Sequence, residues 1–200
     1  MIRTTIDFEE LPTGTYVTTQ YLDAASVQIN VSDATSADAP AGAARIFDSA
    51  NPSPDCILEM TNLGSPNQAC AGDEDFPGLG AGGEPGQAGE NCAALGKILI
   101  IQVDDEATND AQPDGPSCAT PDGGKLNFYF TKITNLFSIT LLDIRGDDSA
   151  TITVWDDSDT EYNLAVPGRG ENGVQDVPIN LNYVKQMTIQ LTGSGAVAGL

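Results

Sequence analysis

Apolar residues alternate with polar ones in short runs, and Gly, Pro, Asn and Asp punctuate the gaps. In "KLNFYFT" (125–131), Leu126, Phe128 and Phe130 share one face, while Asn127, Tyr129 and Thr131 share the other. In "ATITVWD" (150–156), Ile152 and Val154 oppose Thr151, Thr153 and Trp155. Period two with one apolar face predicts half-buried antiparallel strands. The same reading places strands at 4–11, 15–21, 26–32, 44–49, 137–144, 161–167, 174–180 and 185–192. "KILIIQV" (97–103) is apolar without alternation and should be a central strand. Helical periodicity is nearly absent, with at most one turn expected at Tyr183–Gln186. Many short strands and no sustained helix predict an all-β fold, a two-sheet antiparallel sandwich of jelly-roll type.

The pattern lapses twice, over about 50–96 and 104–124, where Gly, Pro and acidic residues dominate. Loops of such length need something to fix them in a compact domain. All four cysteines, Cys56, Cys70, Cys92 and Cys118, lie in these two stretches. No CxxC spacing points to zinc, so two disulfides and an oxidising compartment are expected. Three pairings are open; Cys70–Cys92 with Cys56–Cys118 is preferred, because it closes the glycine-rich segment and ties the loops together. No linker divides the chain, so residues 1–200 read as a single sandwich domain with long loops.

Charge changes the picture of the partner. The chain carries 29 acidic and 8 basic residues, a formal charge of −21, and no histidine. Nucleic acid and anionic membrane surfaces would be repelled. Without histidine, Ser-His-Asp and Cys-His nucleophile systems are excluded, as are most zinc, copper and non-haem iron sites. Cations are favoured, calcium above all, since it takes six to eight oxygen ligands. Acid and amide clusters beside flexible backbone supply the candidates: Asp48, Asn51 and Asp55; Asp73 and Asp75; Asp104. Asp143, Asp7 and Glu9 lie within expected strands, where an inward carboxylate would need a partner or a metal. "DDSDTE" (156–161) reads as a solvated hairpin turn instead.

Trp155, Tyr129 and Tyr162 are candidates for a sugar-stacking platform, because sugar faces pack on aromatic rings while amides and carboxylates take the hydroxyls. Asn30-Val31-Ser32 is an N-glycosylation sequon on an expected strand. Arg145-Gly146-Asp147 reads as a turn between strands rather than an adhesion motif. "GLGAGG" lacks the Lys-Ser/Thr of a phosphate loop and precedes a strand. "MIRTTIDFEEL" has no apolar core of a signal peptide, and no run reaches membrane-spanning length. With disulfides arguing for export, Met1 is expected to mark an excised or mature fragment.

The strings "DFEELPTGTYVTTQY", "IFDSANPSPD", "NLGSPN", "GGEPGQAGENCAALGKILIIQ", "PDGGKLNFYF", "ITLLDI" and "LTGSGAVAGL" occur in that order over nearly the whole chain. Together they resemble the calcium-braced, galactose-binding-like β-sandwich domains of secreted bacterial and algal surface proteins. The resemblance implies that Asp48, Asn51 and Asp55 are calcium or loop-bracing ligands and that Asp143 is a recurrent position. The chain departs from the pattern after "DC", where "ILEMTNLGSPN" stands in place of an acidic pair. It also stops at "AVAGL", where similar domains continue by a few residues.

The reading is a non-enzymatic, secreted binding or adhesion module, stabilised by calcium and contacting glycans or neighbouring protein modules. The alternatives are a structural subunit of a larger assembly that binds no sugar, and a glycoside hydrolase or lyase built on paired carboxylates.

Overall fold

The computed structural model describes residues 4–33, 44–50, 63–67, 70, 83–101 and 123–200. Among these residues a four-residue helix, α1 (Leu22–Ala25), precedes eight strands. These are β1 (Val27–Ser32), β2 (Ala44–Asp48), β3 (Lys97–Ile101), β4 (Gly124–Leu142), β5 (Ser149–Asp156), β6 (Glu161–Pro167), β7 (Val174–Leu191) and β8 (Ala196–Gly199).

Two sheets arise because β4 and β7 are long enough to serve both. The first half of β4 pairs with β1 and with the second half of β7, which pairs with β5 and then β6. This is the front sheet. The second half of β4 pairs with the first half of β7 and with β8, which leads to β3 and β2. This is the back sheet. Register shifts between Tyr129 and Ser138 mark where the paired strands cross from one sheet to the other. An extra residue on one strand of a pair bends it and increases its twist, which turns such corners.

The expected 125–131 and 137–144 strands are therefore one strand, as are 174–180 and 185–192. Turn residues are sparse between the members of each pair, so the chain bends without breaking its ladder. Tyr183, expected in a helical turn, sits within β7 at φ 62° and donates its N–H to Asn135 Oδ1. The helix forms instead at 22–25.

Residues 4–11 and 15–21 are not strands. Ile6 and Phe8 both enter the core, but Phe8 adopts φ 64°, which a strand does not. Gln20 accepts from Thr18 N–H at 2.6 Å and donates to Tyr16 O at 2.7 Å, closing a local turn after the isolated bridge Tyr16–Arg45. Strand β8 was not expected from "AVAG". Small residues suit it, because Ala196 and Ala198 face a crowded second core.

The main core lies between the sheets. Val27, Ile29, Leu126, Phe128, Ile152, Val154, Met187 and Ile189 of the front sheet meet Ile46, Leu99, Ile139, Leu141 and Val197 of the back sheet. A second cluster, Phe47, Leu63, Ile98, Ile100, Leu142 and Ala196, covers the outer side of the back sheet. Strand β3 is thus buried on both faces, as its unbroken apolar run predicts.

The cover over that outer side is the described part of the glycine-rich stretch. Cys70 and Cys92 form the expected disulfide. Asn91, fully buried, adds to the pinning. Its Nδ2 donates to Gly64 O and Asn172 O, and its Oδ1 accepts from Ser65 Oγ. Its backbone exchanges further bonds with Gly83 and Asn67. At the entry to β3, Glu9 Oε1 accepts from Lys97 N–H at 2.7 Å while Lys97 Nζ donates to Glu9 O at 2.9 Å. Gly96 is required there. Its φ is +64°, and a Cβ would lie 1.9 Å from Glu9 Oε1.

Candidate functional site

Directly paired residues of an antiparallel sheet point to the same side. The register of the front sheet therefore defines rows across its outer face. One row runs Gln28 (β1), Tyr129 (β4), Gln186 (β7), Trp155 (β5) and Glu161 (β6). The next runs Asn30, Asn127, Thr188, Thr153 and Asn163, and the third runs Ser32, Lys125, Gln190, Thr151 and Ala165. Alternation forces this composition outward, because the intervening positions are the apolar core residues.

Amides and hydroxyls dominate the face, and two aromatic rings stand in one row. The charged members are Lys125 and Glu161, on a chain of formal charge −21. Lys125 Nζ pairs with Asp33 at 2.6 Å. The middle row is locked by side-chain bonds, within itself and to its neighbours. Thr188 Oγ1 donates to Asn127 Oδ1, Asn127 Nδ2 to Ser32 Oγ, and Thr153 Oγ1 to Asn163 Oδ1, all at 2.8–3.0 Å. Asn163 Nδ2 then donates to Glu161 Oε1 at 2.7 Å, linking the middle row to the aromatic one. Such a ladder fixes rotamers before any ligand arrives. Tyr129 is 39% exposed and Trp155 is half-buried.

The three aromatics expected on one platform divide. Tyr129 and Trp155 share the outer face, but Tyr162 pairs with Val154, on the opposite side of the sheet. Its hydroxyl donates to Asp156 Oδ2 at 3.2 Å. Asp156 also accepts from Thr160 and Ser158 N–H groups, which hold its carboxyl below the ordinary range and form the expected hairpin turn.

Of the expected metal ligands, Asn51, Asp55, Asp73, Asp75 and Asp104 lie outside the described residues, as do Cys56 and Cys118. Asp48 ends β2 and accepts from Ala50 N–H at 3.0 Å. Asp7 and Glu9 lie in the irregular N-terminal segment, Asp7 accepting from Glu9 N–H at 3.3 Å. Asp143 is 3% exposed, at φ 63°. Its Oδ1 accepts from Asn172 N–H at 2.7 Å and its Oδ2 from Ser194 Oγ, so both oxygens have donors from the chain itself. Burial pushes its pKa up to about 6 against the pull of those two bonds and of Arg145. Among the described residues no three His, Cys, Asp or Glu side chains come together as a metal site.

Asn91 and Asn172 were missed by sequence reasoning. An Asn in a polar loop carries no signal of burial. A separate cavity of about 240 Å³ lies where Thr5 and Asp7 meet Asn135, Phe137, Ser138 and Thr140 of β4. No helix among the described residues is long and apolar enough to cross a membrane.

No protein-family model matches the chain, and no curated protein matches it. Solved structures give partial, distant similarities. A mutant of the lectin binding domain of lectinolysin, complexed with Lewis b, is 9% identical with a TM-score of 0.32, over 39% of this chain and 62% of that one. A Streptococcus pneumoniae fucose binding module is 12% identical with a TM-score of 0.30, over 39% and 63%. A chitosan-binding module from a Paenibacillus chitosanase/glucanase is 14% identical with a TM-score of 0.30, over 44% and 76%. The chain thus spans about three fifths of the length of the first of these.

Proposed function

We propose that this chain is a non-enzymatic binding module of a secreted protein, and that it contacts glycans through the outer face of its front sheet. The row Tyr129–Gln186–Trp155 carries the reading. It sets two aromatic rings on either side of an amide, on a rigid and nearly uncharged surface of a strongly acidic protein. Aromatic faces stack on the C–H faces of sugar rings, and amides take hydroxyls. Glycoside hydrolysis needs two carboxylates flanking the bond, and Glu161 is the acidic member of these rows. The Cys70–Cys92 disulfide supports an oxidising compartment.

Calcium belongs to the same proposal as a brace for the acidic loops, with Asp48, Asn51, Asp55, Asp73, Asp75 and Asp104 as ligands. Its support is the net charge of −21, which bound cations would relieve. Asp143, with both oxygens engaged by protein donors, fits a structural brace better than a ligand.

A glycan array probed with the whole chain, beside Tyr129→Ala and Trp155→Thr, tests the function. Binding of the wild type that both variants lose supports it; no glycan binding in either calcium or chelator overturns it. A second reading, a packing subunit of a larger assembly, is favoured by Ile133 and Tyr183, exposed next to the paired residues Thr134 and Val184. Light scattering tests the case in which another copy covers that end, since the chain then self-associates through it.

A further inference from the structure

We infer that the front face takes an extended, uncharged, β-linked polysaccharide laid across the strands, with alternate sugar rings stacked on Tyr129 and Trp155. This inference rests on the proposed glycan-binding function and specifies its ligand class and direction.

Direction follows from register. Tyr129 lies on β4 and Trp155 on β5, and both pair with Gln186 on the intervening β7. Two inter-strand steps separate the two backbone positions, about 9.5 Å measured perpendicular to the strands. In a flat β-1,4-linked pyranose chain, every second ring presents the same face at a closely similar step. Two stacking rings of this spacing thus meet chemically equivalent sugar faces. Gln186 stands beneath the ring between them, where its amide can both donate and accept. An α-linked chain coils and leaves a flat row after one contact, and a monosaccharide reaches only one aromatic.

Length follows from the ends of the row. Gln28 on β1 and Glu161 on β6 place polar groups one strand beyond each aromatic, so the row spans four steps, about 19 Å. That accommodates roughly four sugar rings at one ring per strand step. The surface beside the row is rigid, because the adjoining row spends hydroxyls and amides on the bonds Thr188–Asn127–Ser32 and Thr153–Asn163–Glu161.

Charge selects among extended chains. A polyanionic polysaccharide would be repelled by a protein of −21. A cationic one would be drawn to the acidic surface as a whole, in a salt-dependent way, rather than to rows whose charged members are Lys125 and Glu161.

Calorimetric titration of the whole chain with neutral β-1,4-linked glucose and N-acetylglucosamine oligomers of one to six rings tests the inference at physiological salt. Affinity should rise at least about tenfold between the dimer and the tetramer and then level off, as a second linked contact engages. Tyr129→Ala and Trp155→Thr should each flatten that length dependence while keeping a cooperative thermal transition. Equal affinity for one ring and six would overturn the extended-chain inference and leave glycan binding standing. So would unchanged length dependence in both variants, or preference for α-linked, anionic or cationic oligomers. Absence of binding to any glycan would remove the underlying function as well.

Discussion

Asp143 Oδ1 accepts the backbone N–H of Asn172 at 2.7 Å, and through Asn172 the buried carboxylate is tied to the loop that covers the back sheet. Burial raises its pKa to about 6, above the ordinary value of 3.8. A raised folded pKa means that the native state binds the proton more tightly than the unfolded state does. The associated stability is present below pH 3.8 and is lost as pH rises to about 6. The shift corresponds to something on the order of 2–3 kcal/mol. Asp143→Asn keeps an acceptor for Asn172 and does not titrate. Stability measured against pH should therefore show the wild type losing ground to the Asp143→Asn variant between about pH 4 and 6, with a constant difference above about pH 7. A difference independent of pH would contradict a titrating Asp143.

The Cys70–Cys92 disulfide closes a 22-residue separation over the outer side of the back sheet. Replacing both cysteines by serine should remove about 3 kcal/mol and lower the melting temperature by roughly 6–12 °C. Mass spectrometry of the unreduced chain should also find no free thiol, since Cys56 and Cys118 are proposed as a second pair.

Gly168 and Gly146 predict opposite outcomes in neighbouring turns. A Cβ at Gly168 would lie 1.6 Å from Arg145 O, where Arg169 and Gly170 both donate to Ile144 O. A Cβ at Gly146 meets nothing within 4 Å. Gly168→Ala should cost several kcal/mol in chemical denaturation, because backbone must move, while Gly146→Ala should stay within about 0.5 kcal/mol.

Calcium is tested by thermal unfolding with calcium and with chelator. A ligand held only by the native state at about 100 times its Kd adds about 2.7 kcal/mol. A rise of several degrees is expected; identical curves would remove calcium from the proposal.

Much of the sandwich was legible because its strands carry one apolar face, as in Ile152 and Val154 against Thr151, Thr153 and Trp155. The run "KILII" announced a strand buried on both sides. Illegible features depend on distant partners. Phe8 looks like a strand residue, yet its edge-on contact with Tyr21 at 5.7 Å and its φ of 64° come from tertiary packing. Residue type alone groups Tyr162 with Trp155, whereas the β5–β6 register sets them on opposite sides. Asn91 and Asn172 owe their burial to each other and to Ser65 and Gly64, which no local pattern encodes.

Neutral glycan is proposed to stack on the front face, and Trp155 is the single tryptophan of the chain. Its fluorescence therefore reports that face alone. Titration with a neutral β-1,4-linked tetramer or hexamer should give a saturable change in intensity and wavelength that Tyr129→Ala weakens about tenfold, the loss of roughly one stacking contact. Calorimetric binding of those oligomers with no change in Trp155 emission would place the sugar elsewhere and contradict the account.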